Sequence, residues 1–188
     1  MGKNTQSQKT GSSDVLKTPM DRQFSSGGIV YKKAKSSFLW LITKSSPSQF
    51  YPKPVWRLPK GWIDNETHET PGPMTSGKIK ADENSLQKAA LKEVAEEGGV
   101  KAIIVKKIGT SRYVITFKPT AKWQGGKFLK FVTYYLMEWE KDTPESLDEE
   151  SSETKWTSYP EAYKSLSFSY ERQMLKKAKE LLDSLSLV

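Results

Sequence analysis

The chain has 188 residues, room for one domain and a tail but not for two full-sized domains. Only 36% of it is hydrophobic and 28% is charged, yet aromatics reach 11% with six Trp, more than a disordered chain carries, so most of it is expected to fold. Thirty Lys and Arg against 22 Asp and Glu leave a net charge of +8, which favours polyanionic partners, while the absence of Cys excludes disulfide scaffolds, thiolate metal sites and cysteine nucleophiles.

Residues 1–22 are rich in Ser, Thr, Lys, Gln and Gly, and are expected to form a flexible basic tail ahead of a domain over 23–188. Met1–Gln6 holds no apolar stretch of a secretory signal, and Thr5-Gln6 does not complete the myristoylation spacing; a cytoplasmic location is expected. Gly27–Tyr31 and Phe38–Ile42 read as two strands joined by the polar Lys32–Ser37. Val55–Leu58 reads as a short strand stopped by Pro59. From Ile63 to Glu83 there is no periodicity, and Pro71-Gly72-Pro73 predicts a long loop, expected to act as a flexible lid.

A helix is predicted over Ser85–Glu97, with Leu86, Ala90, Leu91 and Val94 on its apolar side and Gly98-Gly99 as the stop. Ala102–Lys106, Ser111–Phe117, Lys127–Glu138 and a short run around Trp156 read as strands. The stretch from Glu140 to Glu153 carries seven acids against one Lys and reads as a solvated loop. Ser169–Leu185 is an amphipathic helix by its Met174, Leu175, Ala178, Leu181, Leu182 and Leu185. No apolar run approaches the roughly 20 residues that cross a bilayer, so no membrane partner is expected.

The chemistry concentrates in Lys92-Glu93-Val94-Ala95-Glu96-Glu97-Gly98-Gly99-Val100. Positions three and four apart share a helix face, so Glu93, Glu96 and Glu97 converge near the C-terminal end, where the helix dipole also disfavours acids. Lys92 reaches Glu96 at i+4, but one ammonium does not neutralise three carboxylates, whereas a hard divalent cation with oxygen ligands does. Upstream, Leu58-Pro59-Lys60-Gly61-Trp62 sets a rigid Pro, a cation and a side-chain-free Gly before the loop. Such a turn can offer the Gly61 carbonyl to the same cation and Lys60 to phosphate.

These residues resemble the Nudix hydrolase family, whose box reads Gly-x5-Glu-x7-Arg-Glu-U-x-Glu-Glu-x-Gly-U with U a bulky aliphatic residue. Lys92–Val100 matches its second half except for Lys in place of Arg, and Leu58–Gly61 is similar to the family's lead-in. The resemblance extends over about residues 24–182 through Gly27–Val30, Lys130–Leu136 and Trp156 with Pro160-Glu161-Ala162. Three positions depart from the pattern. Gly61 and Lys92 lie 31 positions apart where the box has 14; Asn84 stands where the box has its first Glu, leaving Asn84 or Ser85 as helix cap; and Lys92 replaces a bidentate fork by a point charge.

The resemblance implies an α/β/α sandwich, a mixed sheet between the catalytic helix and a C-terminal helix. It also implies hydrolysis of a phosphoanhydride by water with Mg2+ or Mn2+. Carried over residue by residue, Glu96, Glu97 and the Gly61 carbonyl hold the metal. Glu93 either ligates or acts as base, Lys92 orients Glu93, and Lys60 with Arg57 contacts substrate. Lys130, Tyr134 and Glu138 share one face of a strand. Tyr134 either packs the sheet or joins Lys130 at the phosphates; Glu138 either faces solvent or adds an acid to the metal. Tyr113 either stacks on a base or packs the core. His68 and the Trp123–Lys127 hairpin tip carry no assigned role. Among branches of the family, Phe24–Tyr31, Trp56–Gly61, Tyr113–Phe117 and Lys130–Leu136 resemble the diadenosine polyphosphate and diphosphoinositol polyphosphate hydrolases. A nucleoside or dinucleoside polyphosphate is the expected substrate. RNA 5′-pyrophosphate removal, inositol pyrophosphate cleavage and an inactive nucleotide- or RNA-binding module stand as alternatives, and nucleic acid is the second choice of partner.

Overall fold

The computed structural model describes residues 20–48, 52–67, 70–117 and 126–186. Strands β1 (Asp21–Ala34) and β2 (Ser37–Ser45) form an antiparallel hairpin, with Ala34 opposite Ser37, so the connection is a tight turn rather than the six-residue link expected. β1 also begins two residues before the expected domain start. It runs parallel to β8 (Gly126–Asp142), which pairs antiparallel with β7 (Val100–Phe117). With β3 (Trp56–Arg57) beside β2, the sheet order is β3-β2-β1-β8-β7. β4 (Lys60–Trp62) pairs with the first half of β1, and β9 (Ser151–Thr157) with β2.

Alternation along the strands sends side chains to two layers. On one face Ile29, Tyr31, Val132, Tyr134 and Leu136 pack against α2 (Tyr159–Ser165) and α3 (Ser169–Ser186) through Ala162, Leu166, Met174, Leu175, Ala178 and Leu182. On the other, Val30, Leu41, Tyr135 and Met137 meet Ala90 and Val94 of α1 (Glu83–Gly98). This is the expected mixed-sheet α/β/α sandwich. Among the described residues no helix is long and apolar enough to cross a membrane.

Several boundaries differ from those read in the sequence. α1 starts at Glu83 because the Asp82 carboxylate accepts from the Ser85 amide at 2.7 Å; neither Asn84 nor Ser85 is the cap. Its end is as expected, with Gly99 in the left-handed region at φ 62°. The two segments Ala102–Lys106 and Ser111–Phe117 are one strand, since bulges absorb the irregular stretch and let the ladder with β8 continue. The acid-rich 140–153 run is only partly loop: β8 extends to Asp142, Pro144–Ser146 form a 3-10 turn, and β9 begins at Ser151.

The segment after Ile63 is also more ordered than its composition indicates. β5 (Asn65–Thr67) and β6 (Thr70–Pro71) form a small hairpin. The Asp64 carboxylate accepts from the Met74 and Thr75 amides at 3.1 and 2.8 Å, and the Thr75 hydroxyl donates to the Asp64 carbonyl at 2.7 Å. Thr75 is buried and its carbonyl accepts from the Phe24 amide, fastening the insertion to β1. This Asx-type network is a local pairing that periodicity does not register. His68, Glu69 and residues 118–125, with them most of the expected Trp123–Lys127 hairpin tip, lie outside the described residues.

Candidate active site

α1 lies across β1 and β4 so that its Glu93 and Glu97 face the chain at Leu58–Gly61. The alternation that turns Leu58 into the α3-side core leaves Gly61 towards α1. A Cβ at Gly61 would lie 2.1 Å from Glu93 Oε2, so only a glycine lets that carboxylate rest on the main chain. Glu97 is 1% exposed. Its Oε2 accepts from the Lys60 amide at 2.8 Å and its Oε1 lies 2.5 Å from Arg57 Nη2. The exposed Lys92 ammonium bonds to Glu96 and sits 3.7 Å from Glu93 Oε1.

Two further acids arrive from the connection before β9. The Asp148 amide donates to the Glu96 carbonyl at 2.9 Å, laying that segment over the end of α1. Glu150 Oε2 stands 3.8 Å from Arg57 Nη2. Burial, then the charge of Glu97, pushes the Glu93 carboxyl up to about 8. Burial likewise raises Glu97 to about 7 against the opposing pull of Arg57 and Lys60.

These donors suit a hard divalent cation: they are all oxygen, two are buried acids whose charged form burial disfavours until a cation offsets it, and Gly61 brings no side chain between them and its main chain. As the side chains stand, no three ligating side chains among the described residues converge on one point. Arg57 and Lys92 instead occupy the positions of positive charge, on Glu97 and on Glu96 with Glu93.

The other expected site residues divide. Arg57 is buried against Glu97 rather than open to substrate, because β3 delivers it directly beneath α1. The Lys60 ammonium is not turned to the groove for a phosphate; it lies on the α3 side, 2.7 Å from Glu171 Oε1. Although burial opposes its charge, Glu171 keeps the Lys60 pKa above the usual lysine value. Glu138 is not brought to the acids. It accepts from the Tyr31 hydroxyl at 3.3 Å and pairs with Lys33 at 3.4 Å, because β8 carries it past the end of the site. Glu138→Gln should accordingly change catalytic turnover by less than about twofold, measured as initial rates beside the wild type.

Lys130 does share the strand face with Tyr134, half-buried, opposite Tyr113 in the ladder. Burial and the neighbouring Lys60 charge lower its pKa to about 8. Tyr134 is fully buried in the α3-side core, and its hydroxyl has no hydrogen-bond partner among the described residues. One face of the Tyr113 ring is covered by Tyr170, at 3.6 Å between centroids and 9° between planes. Asp148, Glu150 and Glu171 were not singled out from the sequence. The density of acids before β9 was the available signal for the first two; nothing marked Glu171, which reads as an ordinary first-turn acid of its helix.

A family model described as the NUDIX domain matches residues 21–178. Among solved structures, a Caenorhabditis elegans Ap4A hydrolase binary complex is similar at 21% identity, covering 86% of this chain and 98% of that one, with a TM-score of 0.53. A NUDIX hydrolase from Nitrosomonas europaea is similar at 15% identity, covering 85% and 89%, with a TM-score of 0.54. The Escherichia coli dihydroneopterin triphosphate pyrophosphohydrolase is similar at 13% identity, covering 85% and 97%, with a TM-score of 0.52. At these identities the likeness is one of fold. No curated protein matches the chain.

Proposed function

The chain belongs to the NUDIX family, and from that premise we propose that it is a divalent-metal-dependent pyrophosphohydrolase acting on a nucleoside or dinucleoside polyphosphate. The observation that carries this reading is the pair of buried carboxylates, Glu93 and Glu97, pressed against Gly61 with raised pKa values. A purely structural helix gains nothing from that repulsion.

Glu96, Glu97 and the Gly61 carbonyl are the proposed metal ligands, with Asp148 and Glu150 near enough to add charge. Mg2+ or Mn2+ held there supplies neutralisation of the polyphosphate. The remaining work falls to protein groups. Glu93 accepts a proton from the attacking water as its oxygen bonds to phosphorus. The anhydride P–O bond breaks with its electron pair on the leaving phosphate, and the proton passes from Glu93 to solvent. Arg57 fixes Glu97, Lys92 steadies Glu96 and Glu93, and the half-buried Lys130 supplies a positive charge that attracts the phosphates.

Incubation with Mg2+ or Mn2+ and dinucleoside polyphosphates, triphosphorylated RNA, sugar nucleotides and inositol pyrophosphates tests the substrate class. Dinucleoside polyphosphate turnover at the highest kcat/KM is expected. Preference for RNA or inositol pyrophosphates would replace the substrate assignment, and no turnover together with metal-independent RNA binding would replace the enzyme by a binding module. A second expectation concerns pH. Lys130 carries its charge below its pKa of about 8 and loses it above. KM should therefore rise as pH passes 8, and Lys130→Gln should raise KM at pH 7 while flattening that rise.

A further inference from the structure

Leu58 and Pro59 lie between two strands of only two and three residues, β3 and β4, the second of which opens at Lys60, and Pro59 has no amide to donate. The main chain here is held largely by side chains. From the α1 side, Glu97 Oε2 takes the Lys60 amide at 2.8 Å. From the α3 side, Glu171 Oε2 takes the Leu58 amide at 3.2 Å, while its Oε1 pairs with the Lys60 ammonium at 2.7 Å. That ammonium lies 3.4 Å from the Leu58 carbonyl, and the Pro59 carbonyl accepts from the Gly28 amide at 3.1 Å. Glu171 is 0% exposed in the first turn of α3.

A buried ion pair is a poor way to attach a helix, since apolar side chains of similar volume hold one at least as well. What an apolar pair cannot do is accept the Leu58 N–H. We propose that Glu171 is a positioning residue for the candidate active site: from α3 it holds the Leu58–Lys60 main chain opposite Glu97, and so sets where Gly61 meets the Glu93 carboxylate. The proposal rests on the reading of Glu93, Glu96 and Glu97 as the metal site, and it reaches that site through the peptide without touching substrate.

Two double variants separate positioning from packing. Lys60→Met with Glu171→Gln removes the ion pair but keeps an acceptor for Leu58; Lys60→Met with Glu171→Leu removes both. Thermal midpoint, Mn2+ binding by electron paramagnetic resonance, kcat and KM, and hydrogen exchange of the Leu58 and Gly61 amides are compared. The Gln variant, which shares the loss of the Lys60 charge, is the reference and should keep the wild-type exchange of the Leu58 and Gly61 amides. The Leu variant should keep its melting temperature yet bind Mn2+ about tenfold more weakly, lose about tenfold in kcat with little change in KM, and exchange both amides faster. Equal Mn2+ affinity and equal exchange in the two variants would overturn the proposal and leave Glu171 a packing residue. Should the Leu variant not fold, Lys60→Met with Glu171→Met carries the same comparison. If the wild type itself binds no Mn2+, the metal-site reading fails, while amide exchange still judges whether Glu171 holds the peptide.

Discussion

Glu93→Gln should abolish most turnover, with kcat falling on the order of 10³-fold, while the protein remains folded. The amide keeps the volume of the carboxyl against Gly61 but cannot take a proton from water. The same change should stabilise the metal-free protein near pH 8. The folded-state pKa of Glu93 is raised from 4.5 to about 8, so between those values the folded state binds more protons than the unfolded one. Stability of the metal-free wild type therefore falls as pH rises through that window, and the fall is complete above pH 8. Thermal melts in excess chelator at pH 5 and pH 8.5 should show this drop in the wild type and a smaller one in Glu93→Gln. Full activity in the variant would remove Glu93 from the chemistry, and an undiminished drop would show that its raised pKa is not what destabilises the metal-free form.

Gly61→Ala is expected to be nearly as damaging, for a geometric rather than a chemical reason. The added methyl would lie 2.1 to 2.4 Å from all three atoms of the Glu93 carboxyl group, too close for any rotamer adjustment that keeps the carboxylate where it is. The side chain must swing away from Gly61, and a displacement of about 1 Å in a catalytic group costs on the order of 10²-fold in rate. Because the group displaced is at the edge of the site rather than in the core, the melting temperature should move little. Steady-state kinetics alongside circular dichroism melts decide it; wild-type kcat in a folded Gly61→Ala protein would mean that Glu93 and Gly61 do not act together.

The helix with its Glu93, Glu96 and Glu97 could be read from the sequence because helical spacing is local: residues three and four apart must share a face. The mixed sandwich came from the resemblance of Leu58–Gly61, Lys92–Val100 and their flanks to the Nudix family, since alternation in Gly27–Tyr31 and Lys130–Leu136 tells which side chains share a layer but not the order of the strands. Partnerships across the sheet were not readable. Arg57 and Lys60 looked like cations available to phosphate, and each instead meets a carboxylate far along the chain, on α1 and on α3 respectively. Glu138 shares its strand face with Lys130 as spacing requires, but eight residues of extended chain carry it well beyond the acids. Asp148 and Glu150 were hidden in a run whose composition reads as solvent-facing, although a backbone bond to the end of α1 brings them to the site.

The hydrogen bond between the Leu58 amide and Glu171 spans 113 residues, which bears on when during its own synthesis the protein becomes competent. Emergence of the acid-bearing helix from the ribosome leaves the lead-in peptide tethered from one side only. Its second tether is encoded 113 residues further on, in α3, so the lead-in peptide is fixed from both sides only after α3 has emerged and docked.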